Sequence, residues 1–329
     1  MGEKIHFAEK IPKKGAVSIS QLKNQMNTTV ALGFFDGVHA GHRAVLETAF
    51  AEPGLRRAVF TFSIDSNNYV VQPEKFASQP VLLMSHYGKM NALASCGAEV
   101  IHAPAFSEIK DLSPEEFFET MILRALSAKC VSCGGDFRFG KDACAGIDRL
   151  LDLCRNYDIK LNIVPPVLFD GKIISSSVIR QLLADGNVTL AGKMGYSAEF
   201  TLPVIHGRMI ARTLGMPTLN QKIPAGRVIP KFGVYKSITE LPVYYGESGG
   251  KRTLPSISNI GVKPTVTDDN ELLLETHIIG FDGDLYGQTV RVTLTEFLRG
   301  ERKFSGISEL KEQMRNDMLA AMPGKAQLF

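Results

Sequence analysis

Two of the seven histidines, His39 and His42, fall in the string Gly33-Phe34-Phe35-Asp36-Gly37-Val38-His39-Ala40-Gly41-His42. The apolar run Thr28 to Leu32 reads as a buried strand that stops at Gly33, and Gly41 to Phe50 reads as a helix. The histidines therefore enter a helix after a glycine-bearing loop, shaped by Gly33, Phe35, Asp36, Gly37 and Gly41. At that position of an α/β sheet, free helix amides and small residues admit phosphate oxygens. Two imidazoles in the first turn can face a triphosphate and stabilise charge during an in-line displacement at its α-phosphate. A second anion-binding pattern is Ile174-Ser175-Ser176-Ser177-Val178-Ile179-Arg180. Its hydroxyls can cap a helix or hold an anion, and Arg180 adds a fixed charge one turn on.

The five cysteines do not suggest a disulfide framework. Cys130 and Cys133 form C-x-x-C, but Cys144 and Cys154 lie ten residues apart rather than as a second close pair. Cys133 runs into Gly134-Gly135, a strand end rather than a helix N-terminus. Small buried thiols are expected in preference to a zinc site or a redox pair.

These residues must be positioned by elements, and the first half alternates short apolar runs with helical patterns, the mark of a parallel sheet. Strands are expected at 28–32, 57–62, 99–101, 129–133 and 160–164, and helices at 41–50, 148–156 and 175–184. Ser113-Pro114-Glu115-Glu116 is a capping box that opens a helix to about Leu126. After Asp185-Gly186-Asn187 helical periodicity gives way to β-rich runs at 196–205, 233–238, 272–279 and 289–298, the pattern of an antiparallel barrel. A last helix spans 307–322 with Ser308 as a cap, and the domain boundary is expected between about 186 and 196.

Hydrophobic residues at 44% and charged residues at 22% are globular proportions that exclude a disordered chain. Lys+Arg 37 against Asp+Glu 34 leaves +3, too little to announce a nucleic-acid or membrane partner. No apolar run approaches the roughly 20 residues that span a bilayer. The N-terminus has basic residues without an apolar segment behind them, so the chain is expected in the cytoplasm.

The histidine string resembles the nucleotidyltransferase signature of the bacterial bifunctional riboflavin kinase/FAD synthetases. Gly134-Gly135-Asp136-Phe137-Arg138-Phe139-Gly140 resembles that family's G-x-[DN]-F-x-F-G loop, and Ile174 to Arg180 its I-S-S-T-x-I-R helix start. Asp111 to Phe117 resembles a helix opening common in it. The family's T-F-x-P-H-P is replaced by Thr61-Phe62-Ser63-Ile64-Asp65-Ser66. The C-terminal half resembles the riboflavin kinase module. His206-Gly207 through Arg212, Gly215 and Pro217-Thr218-Leu219-Asn220 follows H-G-x-x-x-G-R-x-L-G-F-P-T-A-N, with Ala211 in place of a glycine and Pro203 where another is usual. Asn259 to Thr265, Glu275 to Ile278 and Phe281 to Gly287 continue the match in order.

The resemblance implies an α/β, Rossmann-like nucleotidyltransferase domain over 1–189 and an antiparallel β-barrel riboflavin kinase domain over 190–329. The barrel would convert riboflavin and ATP to FMN and ADP, and the first domain would convert FMN and ATP to FAD and pyrophosphate. His39, His42 and Arg180 would serve adenylyl transfer, with Asp136, Phe137, Phe139 and Ser175 to Ser177 binding nucleotide or flavin. In the barrel, His206, Gly207, Arg212, Gly215 and Pro217 would bind substrates, and Glu275 would be the catalytic base. Thr218 and Asn220 offer hard oxygen ligands to a Mg²⁺ that keeps most of its waters. The implied partners are riboflavin, FMN and ATP, with no nucleic acid and no membrane; the sequence is silent on oligomeric state. Two other functions stay open: one active module only, or a flavin- or nucleotide-binding regulator without turnover. A class I aminoacyl-tRNA synthetase would share the histidine pair, but K-M-S-K-S and a basic tRNA surface are missing.

Overall fold

The computed structural model describes residues 27–64, 82–206, 216–242, 252–264, 270–302 and 304–322. The chain forms two compact units that divide between Ser176 and Ser177.

The first unit contains β1 (Thr28–Leu32), α1 (Ala40–Phe50), β2 (Arg56–Phe60), α2 (His86–Ser95), β3 (Val100–His102), α3 (Phe106–Ile109), α4 (Pro114–Phe117), β4 (Ala128–Gly134), α5 (Ile147–Asn156) and β5 (Lys160–Val164), then a hairpin of β6 (Leu168–Phe169) and β7 (Lys172–Ile173). Among the described residues its main sheet has five strands in the order β3-β2-β1-β4-β5, with every neighbouring pair parallel. All five residues of β1 are buried, as its central place requires. Strand alternation splits the core: Val30 and Leu32 join Val131, Phe117 and Ile122 on one face, while Ala31 joins Val45, Leu46 and Leu93 on the other.

At the start of α4 the capping box is complete: the Ser113 hydroxyl accepts from Glu116 N at 3.2 Å, and the Glu116 carboxylate accepts from Ser113 N at 2.9 Å. Past Phe117 the helix widens into a π-helix over Phe118–Ala125, with Leu126 as its C-cap, so the helical stretch ends where expected. Helix α2 has no counterpart in the expected elements. Cys130, Cys133 and Cys154 are buried, but Cys144 is exposed and Cys96 half-buried, so the expected burial holds for three of the five. Burial pushes the Cys133 and Cys154 thiols up to about 12.

The second unit begins in α6 (Ser176–Ala184) and continues through α7 (Val188–Lys193), β8 (Ala198–Pro203), β9 (Leu219–Lys222), β10 (Gly233–Glu240), β11 (Thr253–Pro264), β12 (Asn270–Ile278), β13 (Thr289–Arg299) and α8 (Ile307–Ala321). Helical structure therefore persists beyond Asn187, whose side chain caps α7 by accepting from Leu190 N at 3.1 Å. The residues just before 190 pack on the barrel: Lys231 N donates to Leu183 O at 2.9 Å, and Thr189 Oγ1 to Thr295 O at 2.8 Å. Helix α8 is preceded by Gly306 rather than capped by Ser308, and no side chain caps it.

Among the described residues the barrel sheet runs β8-β13-β10-β11-β12-β9, antiparallel throughout. Its ends nearly close. Ile205 N donates to Asn220 O at 2.8 Å, and the fully buried Gln221 amide donates to Leu202 O at 2.7 Å and Val290 O at 2.9 Å. Ser237, Thr239, Ser256, Ser258 and Thr276 form a buried hydroxyl network with spacings of 2.7–3.0 Å. A hydroxyl can both donate and accept, which lets this chain of polar groups occupy the interior.

Candidate functional sites

The first site lies at the C-terminal ends of β1 and β4, where the strand order of the parallel sheet reverses. The backbone between Gly33 and His39 is contorted, with φ of 55° at Phe35, 94° at Gly37 and 40° at Val38. Such conformations at residues other than glycine cost about 1–3 kcal/mol and persist only where the surroundings over-determine them. Here Phe35 and Val38 are each 1% exposed, and the Phe35 ring lies 3.0 Å from where a Cβ on Gly33 would stand. The Asp36 carboxylate accepts from Leu83 N at 3.0 and 3.1 Å, and Ser176 Oγ donates to the Asp36 carbonyl at 2.8 Å.

His39 caps α1, its Nδ1 accepting from the His42 amide at 3.4 Å. Its Nε2 is 3.4 Å from Ser176 Oγ. The two imidazoles stack with centroids 3.7 Å apart and planes inclined by 17°. A Cβ on Gly41 would come within 3.2 Å of both His39 and the Ile174 carbonyl, so glycine permits that approach. Burial, then the charges of His39 and Lys89, hold the His42 pKa well below the usual imidazole value. His42 Nδ1 is buried without a hydrogen-bond partner among the described residues. An unpaired buried polar atom costs about 1–3 kcal/mol, a cost that a bound anion would relieve. Ser177 and Arg180 lie in the second unit, on the same helix α6 that Ser176 begins.

Beside the histidine loop opens a cavity of about 490 Å³ lined by Gly33, Phe62, Phe106, Phe117, Phe137 and Phe139, with Lys110 and Arg138 at its wall. Phe137 and Phe139 stack at 5.8 Å, and Phe62 stacks on Phe34 at 4.5 Å. Asp111 and Asp142 also line the cavity, and its aromatic walls can pack against a planar ring system. Asp136 sits at the turn, its carboxylate 2.9 Å from where a Cβ on Gly134 would be. Phe62, Phe106 and Lys89 were not anticipated. The one available signal for Lys89 was its place on a helical face with Met90 and Leu93.

The second site is a cavity of about 320 Å³ in the barrel unit, lined by Pro217, Thr218, Asn220, Thr276, Asp282 and Tyr286 among others. Register pairs Glu275 with Asn220 on one side and Asn259 on the other. Directly opposed residues share a face, so these three polar side chains form one row across β9, β12 and β11. Asn259 donates to the Glu301 carboxylate at 3.3 Å, and a Cβ on Gly261 would collide with that carboxylate. His277 Nδ1 lies 2.9 Å from Pro217 O, in the segment that leads through Thr218 into β9. His206 stacks on Tyr286 with centroids 3.9 Å apart. Gly207, Arg212 and Gly215 lie outside the described residues.

A parallel-sheet unit with this loop at its switch point, joined to a near-closed antiparallel barrel, defines a nucleotidyltransferase-like domain paired with a flavokinase-type barrel. The family model described as FAD synthetase matches residues 21–178, and the one described as riboflavin kinase matches residues 194–323. The bifunctional riboflavin kinase/FMN adenylyltransferase of Escherichia coli strain K12 is 32% identical over 323 residues, covering 96% of this chain and 95% of the relative. The protein of the same name from Bacillus subtilis strain 168 is 32% identical over 311 residues, covering 91% and 93%. The chain belongs to the bifunctional riboflavin kinase/FMN adenylyltransferase family. A crystal structure described as a macrolide-efflux protein from Streptococcus pneumoniae matches with TM-score 0.76 and 29% identity, covering 92% of this chain and 96% of that one. Among the residues described here, no helix is long and apolar enough to cross a membrane.

Proposed function

We propose that this chain makes both flavin cofactors, its barrel phosphorylating riboflavin to FMN and its parallel-sheet unit adenylylating FMN to FAD. The observation that carries this reading is the stacked His39–His42 pair on a strained loop beside an aromatic slot. In adenylyl transfer, an FMN phosphate oxygen attacks the α-phosphorus of ATP, a new P–O bond forms, and the bond to the β-phosphate oxygen breaks to release pyrophosphate. The histidines and the amides at the start of α1 stabilise charge on the α-phosphate as it transfers. The nucleophile is already an anion and needs no base. Phe137 and Phe139 suit the isoalloxazine ring, and Arg138 suits the FMN phosphate.

In the barrel, the riboflavin 5′-hydroxyl attacks the γ-phosphorus of ATP, ADP leaves, and Glu275 accepts the hydroxyl proton. Thr218 and Asn220, two oxygen-bearing side chains lining the cavity, suit a Mg²⁺ that takes its remaining ligands from water and phosphate. When bound, Mg²⁺ would neutralise phosphate charge. The test is to incubate the protein with riboflavin, ATP and Mg²⁺ and separate the flavins by chromatography. FMN and FAD together are expected; FMN alone would mean a silent first unit, and neither product would mean a binder without turnover.

A further inference from the structure

Among the described residues, the reaction scheme leaves a buried cation unused. Lys89, on α2, is 5% exposed. Its Nζ donates to Phe34 O at 3.0 Å, Phe62 O at 2.8 Å and Thr61 Oγ1 at 3.1 Å, and lies 4.1 Å from the Phe34 ring centroid. An ammonium has three N–H donors and no acceptor, so this cage matches the charged form. The neutral amine has one donor fewer and would turn a lone pair toward an oxygen.

The three oxygens belong to two loops. Phe34 adjoins the left-handed Phe35 in the segment that carries Asp36, His39 and His42, whereas Thr61 and Phe62 follow β2, and Phe62 lines the aromatic cavity. Thr61 Oγ1 also donates to Phe34 O at 2.9 Å, closing a compact polar knot beneath the stacked Phe34 and Phe62 rings. A strained loop keeps its shape only while held from outside, and Lys89 holds it one residue before the strain begins.

We infer that Lys89 is a positioning residue for adenylyl transfer, its ammonium fixing the histidine loop against the Phe62 segment and so aligning the triphosphate with the flavin slot. The inference rests on the adenylyl-transfer reading given above. The charged groups coupled to Lys89 are Asp36 on the loop, His42 on α1 and His86 on its own helix. Burial draws the Lys89 pKa from 10.5 down to about 7, with Asp36 opposing. Both histidines are shifted below their usual value of 6.5, so a titration above pH 7 is not theirs.

The test compares the full-length parent with Lys89→Met, which keeps an apolar stem and removes all three donors. Kinase turnover reports that the variant is folded, hydrogen exchange at 33–42 and 61–64 reports the tie, and FAD formation from FMN reports the alignment. Lys89→Met should speed exchange in both segments and lower kcat about 10- to 100-fold, with the KM for FMN held within about three-fold. The parent's kcat should decline as pH rises above about 7, and the variant should lack that decline. Thr61→Val removes one arm of the cage and should give a milder loss of the same kind, which serves if Lys89→Met does not fold. A folded variant with the parent's exchange, kcat and pH profile overturns the inference alone. A parent that makes no FAD overturns the adenylyl-transfer reading and this inference with it.

Discussion

In the free protein burial, and then the charges of His39 and Lys89, oppose protonation of His42. A triphosphate brought beside it adds negative charge, which moves an imidazole pKa upward. ATP binding to the first unit should therefore be accompanied by proton uptake at mildly acidic pH. Calorimetric titration in buffers of different ionisation enthalpy measures this, and the uptake should vanish in His42→Asn while ATP binding to the barrel persists. Identical heats across buffers in the parent would contradict it. The same group sets an acid limit on stability. The unfolded chain binds a proton at His42 near pH 6.5 and the folded chain resists it, so stability is full above 6.5 and falls as pH drops toward the lower folded-state pKa. His42→Asn should flatten that part of the curve in a denaturant series run from pH 7.5 down to about 5.

The seam of the barrel is an element-scale feature that depends on one side chain. Gln221 donates to carbonyls on β8 and β13, doing between strands what a backbone ladder does elsewhere. Gln221→Leu keeps the volume but removes both of these hydrogen bonds, at a cost of about 1–3 kcal/mol. Thermal unfolding of the barrel should register it, and an unchanged midpoint would show that Ile205–Asn220 alone holds the seam. Much of this architecture was legible in the sequence. Strands β1 and β5 stand where their apolar runs put them, and Ser113 to Glu116 cap α4 as their spacing requires. Strand β9 was hidden because Asn220 and Gln221 resemble a polar loop until the barrel supplies their partners. Helix α2 was hidden because Gly88 weakens its first turn and Lys89 occupies its buried face. Of the site, the histidine string and the aromatic G-x-D-F-x-F-G loop were readable locally. The row of Asn220, Glu275 and Asn259 was not, since it depends on the register of three strands. The hold of Lys89 on Phe34 and Phe62 was equally hidden, because it joins residues that are far apart along the chain.

At the scale of the whole chain, each compact unit contains its own cavity, so variants should divide the two activities cleanly. His39→Ala with His42→Ala should abolish FAD formation from supplied FMN and leave FMN formation within a few-fold of the parent. Glu275→Gln should do the reverse. It keeps the shape and hydrogen bonding of the carboxylate but removes the proton acceptor, and general-base catalysis is worth about 10²–10⁴-fold. Phosphoryl transfer through a loose transition state asks only modest help from a base, so the loss should fall toward the lower end of that range. The remaining rate should come from substrate positioning. Flavin binding, followed by fluorescence quenching, should survive in Glu275→Gln, and FAD should still form from supplied FMN at the parent rate. From riboflavin, however, the same variant should accumulate little FAD, because its first step starves the second; adding FMN should restore it. If supplied FMN fails to restore FAD formation in a folded Glu275→Gln protein, the two reactions do not occupy separate units.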